Sequence, residues 1–414
     1  MNENSWTVRQ IYGENGAAEA ERRYGHLEKK YRELFGAAEL RYFSAPGRTE
    51  IIGNHTDHNG GKILAASITL DTICAAAKTE EPVITIVSEG YRPISVDLRR
   101  LSEIPKESGS LSLAAGIAEA AKAFGFRAGG FNAYVTTGVI AAAGVSSSAS
   151  FEMLICAVMN HFFNEGKIDY TAYARMGQYA ENRWWNKASG LMDQMACAVG
   201  GTILLDFSDG VKYEKVNFSF DLLGADLFII NTGKGHADLS AEYSAIPNEM
   251  RDTARLLGGE NLCESSEEEL LRRLPELRKQ LHNDRALLRA LHYYEECRRV
   301  DSAVEALHAG HADRVLALMT EGGNSSWKWL QNGYCNATPE EQSVPLALAL
   351  TELYIRRIGG GACRIHGGGF AGVIMAVLPK EERERFTAYM TPYVGAENIY
   401  LMGIRQKGAV EVLH

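Results

Sequence analysis

The sequence has few cysteines, and none of them is spaced as in a disulfide framework or a zinc knuckle. Its seven cysteines are odd in number and widely scattered, and no two form a C-x-x-C pair. The polar, acidic start, Met1-Asn2-Glu3, has no hydrophobic signal-peptide core. These absences predict a reduced, cytoplasmic protein.

The sequence also lacks an excess of positive charge and any long hydrophobic run. Lys and Arg total 43 and Asp and Glu total 52, which gives a net charge of −9. A general nucleic-acid or anionic-membrane binder needs a basic surface, and a membrane helix needs ~20 apolar residues. We therefore expect neither partner. At roughly 150 residues per domain, the 414 residues predict two or three soluble domains.

Hydrophobic periodicity gives a coarse order of elements. Helical spacing marks residues 18–36 and 146–163, and it dominates from residue 238 to about residue 356. Residues 363–366 and 373–378 are apolar and strand-like. The composition changes near residue 210, where we place a domain boundary.

The first chemically dense stretch is Ala45 to Gly61, A-P-G-R-T-E-I-I-G-N-H-T-D-H-N-G-G. Such a concentration of charged and amide side chains is costly to bury without partners. It suits a site that hydrogen-bonds a polyhydroxylated ligand, although a polar surface turn is the simpler alternative. A metal bound by His55, Asp57 and His58 is not predicted, because neighbouring residues point in different directions.

The second stretch is Ala141 to Ser150, A-A-A-G-V-S-S-S-A-S, which leads into the apolar helix. A loop of small residues before a helix presents free N–H groups and the positive end of the helix dipole to an anion. An ordinary N-cap needs only one serine. Three serines after a glycine therefore favour a phosphate site.

The third stretch is Gly359 to Gly372, G-G-G-A-C-R-I-H-G-G-G-F-A-G. It contains G-x-G-x-x-G, but a strand follows it where a dinucleotide fold requires a helix. Its H-G-G-G resembles a lipase oxyanion loop, but the sequence has no G-x-S-x-G motif. We predict a glycine loop between two strands, packed against another loop or a ligand.

These three stretches, in this order, resemble the motifs of the GHMP small-molecule kinases. The first resembles the galactokinase signature, which runs roughly A-P-G-R-V-N-L-I-G-E-H-T-D-Y-N-G-G. Two further stretches are similar to family motifs: Glu181-Asn182 with Gly190 to Gln194, and Asn231 to Tyr243. The resemblance covers about residues 41 to 378.

The resemblance implies an α+β, two-lobed GHMP kinase fold with the active site in the cleft between the lobes. We assign residues 1–210 to the N-terminal domain and residues 211–414 to the C-terminal domain. The implied reaction is ATP-dependent, Mg²⁺-assisted phosphorylation of a monosaccharide, above all D-galactose, on its C1 hydroxyl. Family precedent favours a monomer.

The resemblance also implies residue roles. Asp193 matches the general base, and Arg48 matches the residue that stabilises the transferring phosphoryl group. Substrate-binding positions are Asn54, His55, Asp57, Gly190 and Tyr243; phosphate-binding positions are Gly144, Ser146, Ser147, Ser148 and Ala149; Mg²⁺-binding positions are Ser148 and Glu181.

The sequence departs from the family pattern at four positions. Glu50 stands where the family has asparagine, Asn54 where it has glutamate, His58 where it has tyrosine, and Ala142 where a glycine is usual. The family glutamate contacts the C6 hydroxyl of the sugar, so its loss costs about 1–2 kcal/mol, or roughly tenfold in affinity.

Three alternatives stay open. The first is a kinase for galacturonate, arabinose or an amino sugar. The second is a non-catalytic sensor of ATP and galactose, and the third is another GHMP enzyme of the mevalonate or homoserine type.

Overall fold

The computed structural model of the protein describes residues 5–141, 143–186, 189–233 and 239–414. They form two β-sheets with helices packed on them. The strands are β1 Ser5–Thr7, β2 Arg41–Ile52, β3 Lys62–Lys78, β4 Val83–Ser88, β5 Ile94–Asp97, β6 Phe131–Thr137, β7 Thr202–Asp206, β8 Lys212–Val216, β9 Ala225–Asn231, β10 Ala362–His366, β11 Val373–Pro379, β12 Ile399–Met402 and β13 Val410–Leu413. The α-helices are α1 Val8–Phe35, α2 Ser110–Ala123, α3 Ser147–Asn164, α4 Tyr170–Trp184, α5 Met192–Val199, α6 Ser240–Leu257, α7 Glu267–Leu281, α8 Asp284–His308, α9 Arg314–Ser325, α10 Ser343–Ile358 and α11 Arg383–Val394.

The first sheet contains nine of these strands, in the order β1-β13-β2-β3-β6-β4-β5, with β7 pairing with β3 and β8. Most pairs are antiparallel, but β1 runs parallel to β13 and β4 runs parallel to β6. The long strands β2 and β3 form its centre. The second sheet has the order β10-β11-β9-β12 and is antiparallel throughout.

The hydrophobic core is divided between the two sheets and the space that joins them. Apolar side chains of α2, α3 and α4 cover one face of the first sheet. Helices α10 and α11 cover the second sheet. A further cluster includes Ile52 and Leu64 of the first sheet and Ile229 and Met375 of the second, so the sheets share buried apolar surface.

Most of the predicted elements are present. Helix α3 and strands β10 and β11 lie within one or two residues of the predicted bounds, and helices α6 to α10 fill the region predicted to be helical. Helix α1 begins at Val8 rather than residue 18. Thr7 and Gln10 form a capping box at its start, and Gly13, with φ of 70°, kinks the helix before the region that the hydrophobic spacing marks.

The boundary near residue 210 remains a prediction. Strand β8 follows that position and strand β13 lies near residue 410, and both belong to the first sheet. Among the described helices, none is both long enough and apolar enough to span a bilayer.

Candidate active site

Strand β2 places two charged side chains of the first motif one pleat apart. Arg48 pairs in register with Ser67 of β3, and Glu50 pairs with Ala65. Residues two apart on a strand project to the same face. Both side chains are almost fully buried. The strand therefore sets the distance between these two charges.

Arg48 is ion-paired with Asp193, 145 residues later in the chain. Its Nε and its terminal nitrogen both lie 2.7 Å from Asp193 Oδ1, with Asp193 in the first turn of α5. Burial alone would lower the pKa of Arg48, but Asp193 raises it above its usual value. Arg48 is therefore permanently charged and fixed in place. The predicted catalytic pair is adjacent in space.

The loop before α3, which the sequence predicts to bind phosphate, is connected to this pair by three hydrogen bonds. The Arg48 backbone N–H donates to Val145 O at 3.1 Å, and its guanidinium group donates to Gly144 O. The Ser146 hydroxyl donates to Asp193 Oδ2 at 2.5 Å. Ala142 lies outside the described residues. Loop and catalytic pair thus form one connected unit.

Helix α3 begins directly after this loop. Ser146 precedes it in the left-handed region, with φ of 59°, and its side chain does not cap the helix. The first N–H groups of a helix have no partner within the helix, so Ser147, Ser148 and Ala149 present donors at the positive end of the dipole. The Ala149 side chain is buried in the core, so only its backbone can contact a ligand.

Ser148 and Glu181 lie next to each other. The Ser148 hydroxyl donates to Glu181 Oε1 at 2.9 Å, and Ser189 and Gln194 donate to Oε2 of the same carboxylate. Hydroxyl and carboxylate oxygens are the donors that Mg²⁺ prefers. The chemistry of these two residues therefore fits a magnesium ion beside the start of α3.

Asp57 and Gly190 are in close contact. A Cβ atom added to Gly190 would lie 2.1 Å from Asp57 Oδ2, closer than two atoms can approach. Asp57 opens a short 3₁₀ turn after β2, and Gly190 precedes α5. The absence of a side chain at residue 190 lets the carboxylate reach the cavity beside Asp193.

These residues surround a cavity of about 230 Å³. It lies between β2, the start of α5 and the loop that joins β10 to β11. Its lining consists of Arg48, Glu50, Asn54, His55, Asp57, His58, Ser189, Gly190, Met192, Asp193, Gln194, Gly367 and Gly368.

Comparison with known proteins gives matches over most of the chain. Two family models match: the galactokinase galactose-binding signature at residues 29–78 and the GHMP kinases N terminal domain at residues 112–201. Among curated proteins, the galactokinase of Lactococcus lactis subsp. lactis is 31% identical over 372 residues, covering 87% of this chain and 88% of its own. The galactokinase of Clostridium tetani is 29% identical over 370 residues, covering 87% and 89%.

The chain belongs to the galactokinase family.

Solved structures agree with this assignment. The chain resembles a crystal structure of Lactococcus lactis galactokinase complexed with galactose, with a TM-score of 0.79 and 26% identity over 94% of this chain and 99% of that one. It shares its fold with Methanococcus jannaschii mevalonate kinase at a TM-score of 0.61 and 14% identity, over 90% and 100% of the two chains. The predicted α+β GHMP kinase fold is confirmed.

Asn54, at a substrate-binding position of the galactokinase signature, is bound on all sides by protein. Its amide nitrogen donates to Glu50 Oε1 at 3.1 Å and to Gly367 O at 2.9 Å. Its amide oxygen accepts from Asn332 at 3.0 Å and from Ser326 at 3.4 Å. These bonds use its donors and acceptors, so in this structure Asn54 supports the cavity wall.

His55 is also held by the protein. Its Nε2 lies 3.0 Å from Gly368 O, so that nitrogen donates. Its Nδ1 then accepts from His58 Nε2 at 3.3 Å. Burial, followed by the nearby His58, lowers the pKa of His55 to about 3. His55 is therefore neutral at physiological pH.

Tyr243 lies behind the glycine loop and does not line the cavity. Its hydroxyl donates to Gly369 O at 2.9 Å. A Cβ atom on Gly368 would lie 2.4 Å from its ring. The loop between β10 and β11 is thus packed here against helix α6, whereas the prediction was another loop or a ligand. Residues 234–238 of the family stretch before Tyr243 lie outside the described residues.

The main features that sequence reasoning missed lie beneath the cavity. Arg364 is almost fully buried and donates to Glu50 Oε1 at 2.6 Å and to Ile51 O at 2.7 Å. Glu296 accepts from the backbone N–H groups of Gly53 and Asn54, at 2.9 and 3.2 Å. The exchange at residues 50 and 54 was the only available sequence signal for this network.

Proposed function

We propose that this protein transfers the γ-phosphoryl group of ATP to the C1 hydroxyl of D-galactose. Membership of the galactokinase family makes it an ATP-dependent sugar kinase. The observation that supports the proposal best is the continuous link from the cavity through Asp193 and Ser146 to the start of α3. A sugar in the cavity and a phosphate at the helix would meet at this link.

In this mechanism Asp193 accepts the proton of the C1 hydroxyl. The sugar oxygen forms a bond to the γ-phosphorus while the bond from phosphorus to the ADP oxygen breaks. Phosphoryl transfer depends mainly on positioning and charge neutralisation. Arg48 supplies a fixed positive charge, and the N–H groups of residues 147–149 hold the phosphate oxygens.

Ser148 and Glu181 would hold the magnesium ion that accompanies ATP. When bound, such an ion neutralises charge on the phosphate oxygens. Asp57 would orient the sugar hydroxyls. The monomeric state and the cytoplasmic location stay predictions.

The test measures ADP release by the purified protein with Mg-ATP and galactose, and identifies the product by phosphorus NMR. We expect phosphate on the anomeric oxygen. Removing a general base costs about 10²–10⁴ in rate, so Asp193→Asn should lower kcat by that factor. Asp226→Asn is the matched control, because Asp226 also pairs with an arginine, Arg383 at 2.7 Å, but outside the cavity lining.

Two results would reject the proposal. One is galactose binding without ADP release, which would indicate a sensor. The other is equal activity of the Asp193→Asn and wild-type proteins.

A further inference from the structure

The cavity has two chemically different ends along strand β2. Arg48 and its partner Asp193 lie at one end. Glu50 lies on the same face two residues further along, about 7 Å away at the usual rise of a strand. If C1 of the sugar is at Asp193, the part of the ring that carries C4 and C6 is directed towards Glu50.

The carboxylate of Glu50 is held firmly by the protein. Its Oε1 accepts from Arg364 at 2.6 Å and from Asn54 at 3.1 Å. Arg364 cannot shift easily, because it also donates to the carbonyl oxygens of Ile51 and Ile365. Oε2 has a single, long contact among the described residues, 3.4 Å from Asn54. This oxygen is the one with capacity for a ligand hydroxyl.

The charges around the cavity disfavour an anionic sugar. Among the described residues that line it, Glu50, Asp57 and Asp193 carry carboxylates, whereas Arg48 carries the one guanidinium group and is paired with Asp193. A second carboxylate buried beside Glu50 would have no cation of its own.

We propose that Glu50, held by Arg364, is a specificity-determining residue that accepts a hydrogen bond from the C6 end of the sugar and excludes a carboxylate there. The cavity therefore selects an uncharged hexose over the corresponding hexuronate. This inference rests on the proposed function, because it needs the reacting hydroxyl to be at Asp193.

The experiment compares kcat/KM for galactose and for galacturonate in the wild-type protein and in Glu50→Gln. Replacing a charged acceptor by a neutral one should lower kcat/KM for galactose about tenfold, mainly through KM. Galacturonate should improve, because the substitution leaves Arg364 without its carboxylate partner. The ratio of the two kcat/KM values should fall more than tenfold.

A second variant covers the case in which Glu50→Gln does not fold. The double substitution Glu50→Gln with Arg364→Met removes both charges, so no buried guanidinium group is left unpaired. It should still lower the galactose-to-galacturonate ratio about tenfold, with a smaller gain for galacturonate. Glu411→Gln is the matched control: Glu411 is a largely buried carboxylate on β13, outside the cavity lining, and its loss should leave the ratio unchanged.

A folded Glu50 variant with the wild-type ratio would overturn the inference, and so would a wild-type protein that prefers galacturonate. Failure of the proposed function looks different: the wild-type protein then releases no ADP with either sugar.

Discussion

At the scale of single residues, Gly190 shows how the absence of a side chain shapes a site. A methyl group there would occupy the position of Asp57 Oδ2, which lies 2.1 Å from the added Cβ atom. We therefore expect Gly190→Ala to displace the carboxylate and to raise KM for the sugar at least tenfold. Steady-state kinetics at varied galactose and saturating ATP measure this effect.

Gly25→Ala is the control for that substitution. Gly25 is an exposed residue of α1, and an added Cβ atom would meet nothing within 4 Å. We expect unchanged kinetics and a free energy of unfolding up to about 1 kcal/mol higher, since alanine is the better helix former. Equal KM values for both variants would show that the contact between residues 57 and 190 does not shape the sugar site.

His55 predicts a pH dependence of stability. Its pKa in the folded protein is lowered to about 3, mainly by burial and then by His58, whereas an unfolded histidine has a pKa near 6.5. Between these values the unfolded chain binds the extra proton. Stability is therefore full above pH 6.5 and falls as the pH falls, by up to about 1.4 kcal/mol per pH unit from this group.

Urea unfolding of the wild-type protein and of His55→Asn at pH 7.5, 6 and 5 tests this expectation. His292 and His366 are also buried, and burial lowers the pKa of both. The slope of wild-type stability against pH therefore contains contributions from three histidines. The variant should lose stability less steeply below pH 6.5. Identical slopes would mean that His55 does not contribute to the acid lability.

Residue identity alone could not reveal which polar atoms already form hydrogen bonds within the protein. Asn54 and His55 match sugar-binding positions of the family, yet protein groups bind their polar atoms in this structure. Glu50 was noticed only as a departure from the family pattern. Its partner Arg364 is 314 positions away, and no local pattern connects the two.

At the scale of elements, the loop before α3 depends on a glycine with positive φ. Gly144 has φ of 64°, and an added Cβ atom would lie 2.8 Å from Val373 and 3.2 Å from His366. Gly144→Ala should therefore move the loop before α3, which hydrogen bonds connect to the catalytic pair of Arg48 and Asp193. We expect KM for ATP to rise at least tenfold, measured at saturating sugar.

Gly138→Ala serves as its control, at the residue that directly follows β6. Gly138 has no positive φ, and its added Cβ atom would have an ordinary contact of 3.7 Å with Asp71 O. This variant should keep KM for ATP within about twofold of wild type. A similar rise in both variants would point to general damage rather than to the conformation of residue 144.

Elements with a strong hydrophobic periodicity or a distinct boundary could be predicted from the sequence, and irregular elements could not. The apolar body and serine-rich start of α3 were enough to place it. The pairing of β2 with β13, or of β3 with β7, could not be predicted, because pairing depends on contacts between distant segments. The π-helical turn Ser326–Leu330, which supplies a partner of Asn54, has no periodic signature.

At the scale of the whole molecule, the site is assembled from both sheets. Strand β2 belongs to the first sheet, while the loop after β10 belongs to the second. The order of motifs along the chain revealed the family. The three-dimensional arrangement of these motifs depends on the apolar cluster that joins the sheets. That arrangement could not be predicted from the sequence without knowledge of the fold.

Asp71 connects distant parts of the molecule and predicts global rather than catalytic effects. This almost fully buried carboxylate accepts hydrogen bonds from Tyr12 and Arg23 of α1, Ser44 of β2 and Arg405 near the start of β13, at 2.5 to 2.8 Å. Burial alone would raise its pKa, but Arg23 and Arg405 lower it below the usual value. Its contribution to stability is therefore present at neutral pH and is lost as the pH falls through the folded pKa.

Asp71→Asn leaves two guanidinium groups without their carboxylate, so the free energy of unfolding should fall by about 3–5 kcal/mol. Below its own unfolding transition the variant should keep the wild-type KM for galactose, because Asp71 does not line the cavity. Asp97→Asn removes an exposed pair with Arg99, which solvent screens, and should cost far less stability than Asp71→Asn. Urea unfolding at pH 7.5 separates the two variants. If both lose the same small amount, the hydrogen bonds at Asp71 do not hold α1 and β13 on the first sheet.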